Sequence, residues 1–166
     1  SRYIFCARNG STITVKDGTF KNDRAKNSYF WADAATIIVE GGDFGGVASN
    51  NKVVTSNGGQ VIIKGGTFNF DPTAWLAGGF KAIKKGSIWM VVPSDVYMPE
   101  NTDALKADLA AATAANGGTV ILAGKNYGEV TVGELKNVTI EGVENSTMIF
   151  KTTDATVLEN VTLTNI

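Results

Sequence analysis

The sequence predicts an all-β chain folded as a right-handed parallel β-helix, a solenoid of ~24-residue coils in two short segments with a small helical cap between them. Three observations predict it. Segments beginning at Thr12, Thr36 and Gln60 align without gaps at two equal steps. Nineteen glycines stand against three prolines, a composition suited to many tight turns between short strands. No leucine precedes Leu76, which sets aside a leucine-rich horseshoe. An antiparallel sandwich would give hairpin turns but no reason for so strict a phase.

Each aligned copy reads the same way. Thr12-Ile13-Thr14-Val15, Thr36-Ile37-Ile38-Val39 and Gln60-Val61-Ile62-Ile63 have strand composition. A charged residue, Lys16, Glu40 or Lys64, ends the strand toward solvent, and glycine then allows a sharp turn. Phenylalanine follows at 20, 44 and 68, so stacked coils should set the three rings in one column. The runs before each copy, Tyr3-Ile4-Phe5-Cys6, Tyr29-Phe30-Trp31 and Val53-Val54-Thr55, form a second strand, with turns expected at Asn9, Asp33 and Asn57. One such unit cannot bury its own apolar face, whereas parallel pairing with the next copy at ~4.8 Å does.

The repeat breaks at Asp71-Pro72, where a capped helix of one to two turns is expected before Gly78-Gly79. Phe80–Ile83 and Ser87–Val92 flank Lys84-Lys85-Gly86 and read as a hairpin closing the first stack, with Trp75 and Trp89 in its core. Pro93-Ser94-Asp95 reads as a joint, dividing the chain into 1–92, the last coils and cap of one β-helix, and 93–166, the helix-capped first coils of another. Residues 103–115 have helical spacing, with Leu105, Leu109 and Ala112 on one face and Asn101 or Thr102 as the cap. Strand patterns then resume, and Asn137-Val138-Thr139 recurs as Asn160-Val161-Thr162, one coil later. The chain starts at Ser1 in an apolar run and stops at Ile166 in strand pattern, which reads as a piece of a longer polypeptide.

The run Leu105-Lys106-Ala107-Asp108-Leu109 leading into Gly117-Gly118-Thr119-Val120-Ile121-Leu122-Ala123-Gly124-Lys125-Asn126-Tyr127 resembles the opening of pectate-lyase-like β-helices. There an amphipathic helix covers the N-terminal end and a Gly-Gly-Thr-Val strand begins the first coil. Asn137-Val138-Thr139-Ile140-Glu141-Gly142 resembles the asparagine-led strand that follows. The resemblance covers residues ~95–166. The first half resembles the Gly-Gly-Thr-Phe coils of phage tail spikes, head fibres and bacterial surface adhesins. These motifs imply fold more than function.

Composition narrows the chemistry. The formal charge is −1 with lysine and arginine dispersed, which argues against nucleic acid or anionic lipid as partner. No apolar run reaches the ~20 residues of a membrane span. Histidine is absent, removing the commonest general base and metal ligand. Cys6 reads as a small buried hydrophobe or an interchain disulfide partner. A polysaccharide-cleaving β-helix needs paired carboxylates, for which Asp17, Asp33, Glu40 and Asp43 are candidates. Asp17 aligns with Gly41, however, and Lys16-Glu40-Lys64 reads as a solvent-facing ladder. No catalytic residue, metal site or cofactor is assigned. Ligand binding is assigned to Tyr29, Trp31 and Asp33: the two rings share a strand face and would stack on sugars if that face is outward. Core or subunit contact is their plainer reading. The sequons at Asn137, Asn145 and Asn160 read as β-helix turn residues.

The resemblance implies a structural and adhesive module of a virion fibre or spike, or of a bacterial surface protein, attached to cell-surface glycan. It would sit on the virion or the cell surface within a homo-oligomer, trimeric by the habit of phage fibres. The alternative is a polysaccharide lyase or glycoside hydrolase whose site lies in other coils. A third reading is a spacer with no ligand.

Overall fold

The computed structural model describes residues 2–24, 27–47 and 52–166. The chain forms two compact units, Ser1–Pro93 and Ser94–Ile166.

Three coils build the first unit, each with three strands, the two expected and a third that carries the phenylalanine. They are β1 (Tyr3–Arg8), β2 (Thr12–Val15) and β3 (Thr19–Asn22); β4 (Ser28–Asp33), β5 (Thr36–Val39) and β6 (Asp43–Gly46); then β7 (Val53–Ser56), β8 (Gln60–Ile63) and β9 (Gly66–Phe68). Strands pair in parallel with their counterparts one coil on, giving the sheets β1-β4-β7, β2-β5-β8 and β3-β6-β9. The register matches the sequence phase: Thr12 faces Thr36 and Thr36 faces Gln60, and Phe20 faces Phe44 and Phe44 faces Phe68. The phenylalanine column forms, with centroids 5.1 Å apart from Phe20 to Phe44 and 4.9 Å from Phe44 to Phe68.

Close stacking explains why an acid stands at Asp17 but glycine at Gly41 and Gly65. A β-carbon at Gly41 would run into the carbonyl oxygen of Lys16 in the coil before it, and one at Gly65 into that of Glu40. The turns after β1, β4 and β7 correct one expectation. The left-handed position is held by Asn9, Ala34 and Asn57 at φ 54°, 46° and 49°. Asp33 is the last residue of its strand, opposite Arg8 and Ser56. The second turn has one residue fewer than the others, Ala34-Ala35 against Asn9-Gly10-Ser11 and Asn57-Gly58-Gly59, and this shifts the alignment by one. Alanine is strained in this conformation, whereas asparagine tolerates it. Ala34→Asn should therefore stabilise the chain by about 0.5–1 kcal/mol, read as a rise in melting temperature.

Beyond β9, Asp71 accepts hydrogen bonds from the backbone N–H and hydroxyl of Thr73. The helix is a single 3-10 turn, Thr73–Trp75, at the short end of the one to two turns expected. The hairpin forms: β10 (Phe80–Lys85) pairs antiparallel with β11 (Ile88–Pro93), and β11 lies antiparallel on β9. It covers the β9 edge, with Trp75 and Trp89 packed against the core.

In the second unit, α1 (Thr102–Ala114) follows the short β12 (Val96–Tyr97) and is capped by the Asn101 side chain, which accepts from Ala104 N at 2.8 Å. Leu105, Leu109 and Ala112 are buried in the core, on the predicted face. Then come β13 (Gly118–Leu122), β14 (Asn126–Thr131), β15 (Glu134–Lys136), β16 (Val138–Gly142), β17 (Thr147–Lys151), β18 (Val157–Glu159) and β19 (Thr162–Thr164). They pair in parallel as β12-β13-β16-β19, β14-β17 and β15-β18. Two sequon asparagines form a carboxamide ladder: Asn137 donates to Asn116 and Asn160 to Asn137, each at 2.9 Å. All three sit at positive φ, so these residues serve the turn. No helix among the described residues is long and apolar enough to cross a membrane.

Candidate functional site

The sheet β1-β4-β7 has one face in the core and one in solvent. Along β4, Phe30 and Ala32 point inward with no exposure, while Trp31 and Asp33 are half-buried on the outer face. Alternation follows from the pleat. It fails at Tyr29, which is completely buried. The N–H groups of Tyr29 and Phe30 both donate to the carbonyl of Lys52, at 3.0 and 3.3 Å. Tyr29 thus lies just before the regular pairing of β4 with β7, which begins at Phe30 opposite Val53, and its ring packs into the core beside Phe30. The Tyr29 hydroxyl bonds the Gly45 carbonyl (2.6 Å) and the Asn69 side chain (2.9 Å), and burial lifts its pKa above the ordinary value. Tyr29 is thus a core residue, its plainer reading, and does not join Trp31 on the outer face as the ligand-binding assignment needs.

Trp31 finds another partner. The ring of Tyr3 stacks on it with centroids 4.7 Å apart, and the Arg8 guanidinium lies 4.1 Å from the indole centroid. Trp31 pairs in register with Cys6; Tyr3 precedes Cys6 along β1 and Arg8 follows it, so they reach the indole from opposite directions. An arginine over an indole is held by the ring quadrupole as well as by dispersion. Sequence reasoning missed Tyr3 and Arg8. The signal was present in the spacing, because one and the same step sets Tyr3 opposite Ser28 and Arg8 opposite Asp33.

Asp33 is fixed by two hydrogen bonds to one carboxylate oxygen, from Ser56 Oγ and Asn57 Nδ2, both at 2.7 Å. The Ser56 hydroxyl, then the Asn57 amide, hold its pKa below the ordinary 3.8, and the charge of Arg8 adds to the effect. A carboxylate with a depressed folded pKa adds stability above its unfolded value and loses it as pH falls through the folded value. Asp33→Asn should therefore melt lower than the parent at pH 7, with the gap closing as pH falls below about 3.8. Thermal melts of both proteins from pH 2 to 7 check this.

Cys6 is corrected as well: it is a free thiol and exposed, because Phe5 and Ala7 take the inward positions on either side. Three of the four acidic candidates are held by separate partners. Asp17 is bonded to Gly18 N and Asp43 to Thr67 Oγ1, while Glu40 is exposed in the turn after β5. Ladders of opposite charge occur in the second unit, where Glu129 meets Lys151 at 3.3 Å and Lys136 meets Glu159 at 4.0 Å. The outer face of β1-β4-β7 therefore presents two adjoining rings flanked by an arginine and an anchored carboxylate. That arrangement offers aromatic surface with charged hydrogen-bonding groups at its rim. No family model, no curated protein and no solved structure matches this chain.

Proposed function

We propose that this chain is a structural and adhesive β-solenoid module of a virion fibre or spike, or of a bacterial surface protein, and that it attaches to cell-surface glycan. The observation that carries the reading is the Tyr3-Trp31 stack on the outer face of β1-β4-β7, with Arg8 and Asp33 beside it. Aromatic rings with a polar rim are what a saccharide needs, since its ring has one apolar face and a hydroxyl periphery. Stacked coils hold these side chains on a rigid sheet, so little ordering entropy opposes binding. Residence on the virion or cell surface, and assembly as a homo-oligomer, trimeric by analogy with phage fibres, belong to the same proposal.

A glycan array probed with the intact chain tests it. Binding to surface glycans is expected, and Trp31→Ala should weaken it at least about tenfold while the fold stays intact by circular dichroism. Binding that is indifferent to Trp31→Ala would overturn the assigned site. Release of reducing ends or unsaturated uronates from a bound polymer would favour a depolymerase instead.

A further inference from the structure

Cations are concentrated at the start of the chain. All three arginines of the chain, Arg2, Arg8 and Arg24, lie in its opening stretch with Lys16 and Lys21, against only Asp17 and Asp23. Two of these cations line one groove. It has a volume of about 360 Å³ and runs between Tyr3 and Ile4 on β1 and Lys21, Asn22, Asp23 and Arg24 at the end of β3. That size falls within the range of small-ligand pockets.

The walls are fixed from behind. Asn22 is 2% exposed, and its amide donates to the carbonyls of Asn27 (3.0 Å) and Val47 (3.3 Å), while its oxygen accepts from Arg24 N (3.3 Å). Its hydrogen-bonding capacity is spent on shaping the corner. The Asp23 carboxylate is held by Asn27 Nδ2 at 3.3 Å. Lys21 and Arg24 are exposed, and neither forms an ion pair among the described residues. Tyr3 belongs both to the groove and to the stack on Trp31, so the two surfaces are continuous.

We propose that this groove binds an anionic substituent of the glycan, a carboxylate, sulfate or phosphate ester, between Lys21 and Arg24, with the sugar chain running over Tyr3 to Trp31. Arginine offers paired N–H donors to a planar or tetrahedral oxyanion and lysine a mobile point charge. Asp23 faces the same space and offsets part of this positive charge, so the two cations leave a net positive groove. The inference rests on the glycan-binding reading and narrows its ligand class.

Three polymers on one backbone test it: dextran, carboxymethyl-dextran and dextran sulfate, each titrated against the intact chain by biolayer interferometry at low and moderate salt. The charged polymers should bind more tightly than dextran and lose affinity as salt rises. The Lys21→Ser/Arg24→Ser double variant should weaken them by about tenfold or more. Lys64→Ser/Lys106→Ser removes equal charge from exposed sites elsewhere and should leave binding unchanged. The carboxylated and sulfated arms show which oxyanion the groove prefers. An equal loss in the control double variant would mean attraction to net charge alone and would overturn the proposal. Binding of all three polymers with no charge preference, abolished by Trp31→Ala, would overturn the groove and leave the glycan site standing. Failure of both charged polymers to bind also overturns the groove, and the glycan array then decides the broader reading separately.

Discussion

Replacing Phe44 with alanine should cost about 3–5 kcal/mol. The ring has no exposed surface and is the centre of an aromatic cluster. Phe68 lies 4.9 Å away and nearly parallel, Phe20 and Phe30 each 5.1 Å away, and Tyr29 6.0 Å away, edge on. Neighbours above, below and beside are each fixed by their own strand ladder, so they cannot collapse into the void, and the cavity term adds to the lost transfer energy. Phe20 occupies the same repeat position but is half-buried, with a partner on one side of the column. Phe20→Ala should accordingly cost clearly less than Phe44→Ala. Calorimetric melts of the two variants check the order, and a reversed order would show that the column is not the core of these coils.

Gly46→Ala should cost about 3 kcal/mol, although it adds a single methyl group. Gly46 has φ 92°, a conformation unfavourable for any L side chain. Its β-carbon would also run into the carbonyl oxygen of Asn22 and come within 2.8 Å of Asn22 N. That backbone cannot retreat easily. The Asn22 carbonyl accepts from Val47 N at 2.7 Å, and its buried side chain ties the corner to Asn27 and Val47. Gly45→Ala is the matched control one residue away, where a β-carbon meets nothing within 4 Å. It should change stability by under about 0.5 kcal/mol. A denaturant titration of both variants reads the contrast, and equal losses would refute the argument from close coil approach.

The stacking phase was legible in the sequence because it is chemical repetition. A parallel solenoid places each residue on its counterpart, so Thr12-Thr36-Gln60 and Phe20-Phe44-Phe68 appear as a period before any coordinate is known. The helix over Thr102–Ala114 and its Asn101 cap were legible for a different reason: caps and helical spacing are local. The candidate site was read only in part. Trp31 and Asp33 face outward as strand alternation requires, but Tyr29 does not, because its hydroxyl is held inside by Gly45 and by Asn69, far along the chain. Asp33 aligns in sequence with the turn residues Asn9 and Asn57 because the shortened Ala34-Ala35 turn hides the shift in register until the strands are paired.

By itself, then, the sequence determined the period of the coils, the residues that repeat inward and the two places where the repeat is interrupted, since all of these are set by interactions within one coil or between identical positions. Only the tertiary structure decided that Tyr3 and Arg8 flank Trp31, that Cys6 is exposed, and that Lys21 and Arg24 line one groove. These are contacts between unlike residues across coils or around a corner. They are set by the register and backbone path of neighbouring strands, which repetition along the chain does not encode.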